Sequence, residues 1–330
     1  MTDSFTVVKA GLETSIQDYP GRIGYWALGI PPSGPMDSLA FRLANLLVGN
    51  AAGAAALEMQ FIGPAMRFER DGVIAFTGAD MKPMLEERAI PLWRSVPVRA
   101  GQILRCGFAH RGARSYLAFD GGIETPSVLG SRSTFHRAGI GGVEGHALKD
   151  GQVIPLGRSR GTPIGRAVRP DVVPTYGSPL TIEVMAGPHD DWLDDTGREL
   201  FLSATWRVSA QSDRTGMRLE GPSLSFSSRA LNKPPENGTD PTNIINNGYA
   251  IGGINLCGQT PIILPVDGPS EGGFITPFTV VSAALWKLGQ TRPHDVIRFM
   301  SVTSEKAIAM RRQLDVQTTE ASLEKVSTDA

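Results

Sequence analysis

Residues 57–68 of this chain, LEMQFIGPAMRF, align without a gap on residues 215–226, with Gly63-Pro64 falling on Gly221-Pro222 and Phe68 on Phe226. Three later landmarks recur in the same order: Phe76-Thr77-Gly78 on Val266-Asp267-Gly268, Leu92-Trp93-Arg94 on Leu285-Trp286-Lys287, and Ile103-Leu104-Arg105 on Val296-Ile297-Arg298. Ordered self-similarity of this kind marks an internal duplication, so two copies of one β-domain are expected. The offset widens between the first landmark and the second, which places an insertion in the second copy within residues 227–261. Long insertions in compact domains are usually functional loops.

The rest of the chain agrees with a mainly β reading. Glycine and proline number 38 and 24 among 330 residues, a density that suits many short strands joined by tight turns. Short β-rich runs bounded by Gly, Pro or Asp occur at 73–77, 116–119, 180–185 and 261–266. Helices are fewer. One is expected from Asp37 or Ser38 as N-cap to Gly49 as stop, with Leu39, Leu43, Leu46 and Leu47 on one stripe. Others are expected over 190–202 and 279–288. The expected organisation is a first domain over 1–157, an Arg- and Pro-rich linker over 158–179, a second domain over 180–303 carrying the inserted loop 227–261, and a polar tail or loosely docked helix over 304–330.

Composition excludes several functions. A formal net charge of -1 provides no field for capturing nucleic acid or an anionic membrane. No run of about eighteen apolar residues occurs, and the first residues lack a basic segment followed by an apolar stretch, so membrane insertion and export are not expected. Cys106 and Cys257 have no metal-ligand spacing, and the five histidines show neither HxH nor HExxH; no metal site is expected, and both thiols read as reduced in a cytoplasmic protein. Neither a P-loop, nor a GxSxG elbow, nor a dinucleotide fingerprint is present.

Polar residues gather at a few turns. Gln17-Asp18-Tyr19-Pro20-Gly21-Arg22 and Ser33-Gly34-Pro35-Met36-Asp37 precede a helix N-terminus, where unsatisfied N–H groups favour an anion, although Asp37 equally serves as a simple cap. Asp80 follows the 73–77 strand in a turn. Ser131-Arg132-Ser133 sets one guanidinium among hydroxyls, which suits a small oxyanion or an ordinary surface loop. Asp267-Gly268-Pro269-Ser270-Glu271-Gly272-Gly273 mirrors the Asp80 turn, Gln211 precedes the repeated strand, and His189 stands before a helix where capping by Asp190 or Asp191 is the simpler account.

The runs TSIQDYPGRIGYWALGIPPSGPMDSLAFRLANLLVGN, GSRST and SAQSDRTGMRLEGP together resemble the carboxyltransferase family that includes allophanate hydrolase subunit 2 and one of the subunits of 5-oxoprolinase, over residues 7–302. Asp240-Pro241-Thr242-Asn243-Ile244, Tyr249-Ala250-Ile251-Gly252 and the 267–274 stretch look like the carboxyltransferase region of biotin-dependent urea carboxylase; oxoprolinase relatives carry threonines where this chain has Pro269-Ser270-Glu271. The resemblance implies two cyclophilin-like β-barrel domains. It also implies transfer of a carboxyl group from carboxybiotin, carried on a separate domain or subunit, to a nitrogen of urea or a urea-like acceptor. The implied partners are a biotin carboxylase with a biotinyl carrier domain and a small companion carboxyltransferase subunit.

Under that resemblance Asp37, Asp80 and Asp267 are candidates to accept N–H hydrogen bonds from the acceptor, Gln17 and Tyr19 to orient it, and Arg132 to hold the carboxylate in transit. Asp18, Ser33, Met36, Ser133 and Gln211 are candidate substrate-binding residues in the same motifs. Asn243, Asn246, Asn247, Ser270, Gly272 and Gly273 would contact biotin or cover the site. Two other functions stay open: a subunit of an ATP-dependent 5-oxoprolinase, and a regulatory binding protein acting on a kinase.

Overall fold

The computed structural model describes residues 3–159, 161 and 164–327. In chain order these form β1 (Ser4–Lys9), β2 (Glu13–Gln17), α1 (Ser38–Leu47), β3 (Ala56–Gln60), β4 (Ala65–Phe68) and β5 (Gly72–Gly78). There follow β6 (Met84–Leu85), β7 (Arg88–Ala89), β8 (Ser95–Val98), β9 (Ile103–Arg105), β10 (Arg114–Phe119), β11 (Val153–Pro155) and β12 (Arg166–Val168). Next come β13 (Leu180–Ala186), α2 (Asp195–Ser203), β14 (Thr205–Val208), β15 (Met217–Glu220), α3 (Ser228–Leu231), β16 (Asn243–Gly248), β17 (Gly253–Cys257) and β18 (Thr260–Ile263). The chain closes with β19 (Glu271–Phe274), β20 (Phe278–Val280), α4 (Leu285–Leu288), β21 (Val296–Ser301), α5 (Ser304–Gln317) and β22 (Leu323–Lys325). The mainly β class is as expected.

The chain divides into two compact units: Met1–Ile23 with Ser33–Tyr176 and Gln313–Ala330, and Gly24–Pro32 with Gly177–Arg312. In the first unit the strands make a six-stranded sheet, β11-β1-β4-β9-β6-β7, and a five-stranded sheet, β2-β3-β10-β5-β8. One apolar cluster joins them, with Phe5, Met66, Phe68 and Leu104 from the first sheet and Leu57, Ile74, Leu117 and Phe119 from the second. Phe5 stacks on Phe119 at 4.8 Å between ring centroids. Each fully buried side chain of this size contributes about 1.5–3 kcal/mol. All six residues of β10 are buried, because its second face is covered by α1: Tyr116 points to that side and meets Phe41 edge-on at 5.8 Å.

Helix α1 forms where its leucine stripe predicts. The Asp37 carboxylate accepts the Ala40 N–H at 2.9 Å, and Gly49, in the left-handed region at φ 71, donates its N–H to the Leu46 carbonyl. The helix expected over 190–202 breaks in two: residues 190–192 form a 3-10 turn, and α2 starts only after Asp194, whose carboxylate accepts the Gly197 N–H at 2.7 Å. The helix expected over 279–288 is corrected further. Residues 278–280 are β20, and only Leu285–Leu288 are α-helical, because the β-branched pair Thr279-Val280 is recruited into the sheet beside β13 and β17.

In the second unit, β13-β20-β17-β18-β15-β14-β21 close into a barrel, sealed by a parallel pairing of β13 with β21. Closure leaves no unpaired sheet edge. The interior is aromatic: Phe201 of α2 stacks on Phe278 at 4.4 Å and on Phe299 at 4.7 Å. The expected inserted loop 227–261 is largely structured, since β17 is a barrel strand and β16 pairs with β19 as a separate two-stranded ribbon.

The segment expected as a linker, of which residues 160 and 162–163 lie outside the described residues, carries β12. The expected tail, of which 328–330 lie outside, forms α5 and then β22, and β22 pairs antiparallel with β12 from Arg166↔Lys325 to Val168↔Leu323. Backbone pairing, not an apolar stripe, holds this polar segment: Leu314 is the buried residue of α5. Of the self-matched landmarks, 103–105 and 296–298 are both strand, whereas 92–94 is irregular and 285–287 helical; the duplication itself remains a proposal from the sequence.

Candidate functional site

In the first unit the structure knits two of the sequence motifs together. Strand β2 delivers Gln17 and Asp18 to a turn containing the cis Tyr19–Pro20 peptide. The Asp18 carboxylate accepts the hydroxyls of Ser131 and Ser133 at 2.5 and 2.6 Å on one oxygen and the Arg132 N–H at 2.6 Å on the other. Gln17 is fully buried; its Oε1 accepts the Gly34 N–H at 3.1 Å, and its Nε2 donates to Ser15 Oγ and the Thr134 carbonyl. Arg22 adds Nη2–H donation to the Ser133 carbonyl at 2.8 Å. A carboxylate answered by two hydroxyls and an amide is a frame that holds these loops in one conformation.

The Asp37 candidate belongs to a buried network next to this frame. Its second carboxylate oxygen accepts the Tyr176 hydroxyl at 3.1 Å, while its N–H donates to Tyr116 Oη at 2.7 Å. Tyr116 in turn donates to Glu58 Oε2 at 2.8 Å, which also accepts the Met36 N–H. Burial, then the charges of Glu58 and Asp37, push the Tyr116 phenol well above its ordinary range; burial, then Asp37, do the same for Tyr176. Both phenols therefore stay protonated and donate.

Asp37 is thus a helix cap with both oxygens engaged, the simpler of its two sequence readings. Asp37→Ala is expected to lower stability by about 1–2 kcal/mol, while Asp37→Asn, which caps as well, costs less than about half of that. Equal losses in guanidinium chloride melts would contradict the capping account.

Arg132 is likewise committed, with Nε–H donated to the Thr125 carbonyl at 2.7 Å and Nη2–H to Glu124 at 2.6 Å. The Tyr19 ring lies 5.0 Å beneath the Arg42 guanidinium. Ser33, buried at φ 59, has no partner for its hydroxyl among the described residues. Asp80 is not drawn into the frame: it pairs with Lys82 at 2.6 Å. Burial would raise its carboxyl, but the hydrogen bonds and charge of Lys82, with the charge of His110, bring it below the usual range.

The second unit holds the remaining candidates. Asp267 is buried against Arg214, with Nε–Oδ2 at 2.7 Å and Nη2–Oδ1 at 3.4 Å, and the Asp267 N–H also donates to the Arg214 carbonyl. From Asp267 the chain runs through Ser270, whose carbonyl accepts the Tyr249 N–H, into β19. There Asn247 stands opposite Gly272, and Asn243 opposite Phe274. Gly272 has to be glycine, since a Cβ would meet the Tyr249 ring at 2.7 Å. Tyr249 Oη accepts the Phe274 N–H at 2.7 Å and fixes that end of the ribbon.

Asn246 donates to Glu271 at 3.1 Å. The Asn247 Nδ2 is buried without a partner among the described residues, on the residue that stands opposite Gly272. Gln211 is exposed, its carbonyl accepting from Arg218. His189 accepts the Thr276 N–H on Nδ1 at 3.2 Å; burial, then the Arg229 charge, lower its pKa, so it stays a neutral acceptor at pH 7.

Glu58, Tyr116 and Tyr176 are not among the candidates read from the sequence. Arg214 and Tyr249 stand inside the motifs that carry the family resemblance, but no role attaches to them there. Chemically, the second unit offers a buried carboxylate held by Arg214 and, on the β16–β19 ribbon, a buried asparagine amide without a partner among the described residues. No helix among the described residues is long and apolar enough to cross a membrane.

Comparison with known proteins follows the same lines. The chain is 39% identical over 325 residues to urea amidolyase of Lachancea kluyveri, covering 94% of this chain but 18% of that protein. It is 34% identical to a 5-oxoprolinase subunit of Escherichia coli, covering 93% of this chain and 94% of the relative. The crystal structure of Kluyveromyces lactis urea carboxylase superposes with a TM-score of 0.90 at 38% identity, over 99% of this chain and 30% of that one. The chain therefore spans about a fifth of the amidolyase it matches. Since the model of the carboxyltransferase domain, subdomains A and B, matches residues 28–301, the chain belongs to the carboxyltransferase domain family, whose members include urea carboxylases and 5-oxoprolinase subunits.

Proposed function

We propose that this chain moves a carboxyl group onto a nitrogen of urea or a urea-like acceptor, giving allophanate or its analogue, as the carboxyltransferase component of a biotin-dependent complex in the cytoplasm. The observation that carries the reading is the fit to urea carboxylase over 99% of the chain, with Pro269-Ser270-Glu271 in its favour. Carboxybiotin, carried on another polypeptide segment, supplies the activated carboxyl group. An unpartnered Asn247 amide suits the oxygen of such a group.

Within the second unit, Asp267 accepts hydrogen bonds from the acceptor's N–H groups and so orients the nitrogen that gains the carboxyl group and gives up its proton, which would pass to the carrier's ureido nitrogen as its bond to the carboxyl group breaks. Arg214 holds that carboxylate. Asn247 donates to the carbonyl or carboxylate oxygen, Asn243 and Ser270 line the approach, and Gly272-Gly273 let it come close to the backbone. The Asn246–Glu271 bond keeps the ribbon in place over the site and limits water. The first-unit candidates Gln17, Asp18, Ser33, Met36, Asp37 and Ser133 act as the supporting frame. Tyr19, Asp80, Arg132 and Gln211 are the weaker candidates. The complex also requires a biotin carboxylase with its carrier and a small companion subunit.

Reconstituted with those partners, the chain is expected to support urea-dependent transfer of labelled carboxyl from the carrier, and Asn247→Ala to slow it about 100-fold with the fold intact. Absence of any urea-dependent product would end the reading. A second reading, a 5-oxoprolinase subunit, is favoured by the near end-to-end match to the Escherichia coli protein. ATP-dependent turnover of 5-oxoproline in place of carboxylation would select it.

A further inference from the structure

The first turns of α5 lie beside the closed barrel of the second unit without sealing onto it. Leu314 is the buried residue of the helix, whereas Ile308, earlier in it, stays 54% exposed. Between helix and barrel is a recess of about 560 Å³. Met185 of β13, Val280 of β20 and Ile251 line it from the barrel; Ala307, Ile308, Arg311 and Arg312 line it from the helix. All of these belong to the second unit, and none takes part in the proposed transfer.

The order of residues along α5 gives this recess a direction. Positions four apart share a helix face, so Ala307 stands in line with Arg311 and Ile308 with Arg312, one turn or about 6 Å apart. The helix wall is therefore apolar at one end and cationic at the other. Facing it, the half-buried Met185 and Ile251 leave apolar surface within reach of a ligand. Arg312 is exposed and Arg311 half-buried; the Arg312 guanidinium has no carboxylate partner among the described residues. No Asp or Glu lines the recess among the described residues, and Asp315, further along the helix, pairs with Arg42 at 3.7 Å.

We propose that this recess binds a medium-chain aliphatic monocarboxylate, with its carboxylate on Arg312 and its chain laid along Ile308, Ile251 and Met185. A guanidinium matches a carboxylate through paired charge-assisted hydrogen bonds. Apolar walls penalise a second polar group, which excludes urea and other small amides that are polar on every side. The volume is that of a small-molecule site, whereas a protein partner needs a face of about 800 Å². The assignment does not depend on the carboxyl-transfer reading.

The test titrates hexanoate, octanoate and decanoate into the full chain by isothermal calorimetry. Affinity is expected to tighten about fourfold for each added methylene. Arg312→Gln, at an exposed position, should weaken octanoate about 10-fold or more. Ile308→Asn, also exposed, should weaken decanoate more than hexanoate, and both variants should melt at the temperature of the unaltered chain. Octylammonium, with the same chain and the opposite charge, should not bind. Absence of octanoate binding, affinity independent of chain length, binding that survives both substitutions, or equal binding of octylammonium overturns the proposal. Displacement of octanoate by biocytin or urea would assign the recess to the transfer reaction and likewise overturn it.

Discussion

Arg214→Met is expected to destabilise the second unit by about 3–5 kcal/mol, because it strands the Asp267 carboxylate, 4% exposed, without its counter-charge. The pair is gripped on three sides, by Nε–Oδ2 at 2.7 Å, by Nη2–Oδ1 at 3.4 Å, and by the Asp267 N–H on the Arg214 carbonyl. Removing both charges is a different experiment. In Arg214→Met/Asp267→Leu no buried charge is left unpaired, and similar volumes refill the site, so most of the lost stability should return. Guanidinium chloride midpoints at constant slope measure this. Recovered stability with no recovery of carboxyl transfer would separate the role of Asp267 in the reaction from its role in the fold. Should the double variant be as unstable as the single one, the ion pair is not what Arg214 contributes.

The second large effect is expected at Phe201. Its ring is fully buried between Phe278 and Phe299, nearly parallel to each, with Trp206 at 5.4 Å. Truncation to Ala removes the middle of a three-ring stack in a closed barrel whose hydrogen-bonded walls collapse poorly, so a cost of about 3–5 kcal/mol follows. Calorimetry should record a fall of about 10–20 °C in the transition of this unit. Phe201→Leu, which keeps most of the volume, should cost less than half as much. A drop of only a few degrees for Phe201→Ala would mean that the aromatic cluster is not the core of the barrel.

Local chemistry was legible where one element answers to itself. The stripe of Leu39, Leu43, Leu46 and Leu47 with Asp37 before it and Gly49 after it identifies α1, because the helical period and its caps lie within one short stretch. The runs that became β5, β10 and β13 were recognisable for the same reason. The expectation failed at 279–288, where an apolar run compatible with a helix was drawn into the sheet as β20 by pairing with β13 and β17. At the polar terminus the docked helix forms as α5, but the expectation missed β22, which is held by a strand more than 150 residues away in the chain.

The candidate site divides along the same line. Residue types alone marked Gln17, Asp18, Ser133, Asp267 and the asparagines of 243–247 as places where polar chemistry gathers at turns, and the family likeness, mainly β class and absence of a nucleotide motif were readable from order and spacing. Which groups are spent and which remain open was decided only in three dimensions. Asp18 meets Ser131 and Ser133 across 113 and 115 residues, and Arg214 meets Asp267 across 53. A hydrogen bond depends on distances of a few tenths of an ångström set by strand register and packing, and no local pattern of side chains encodes such a distance between segments that far apart.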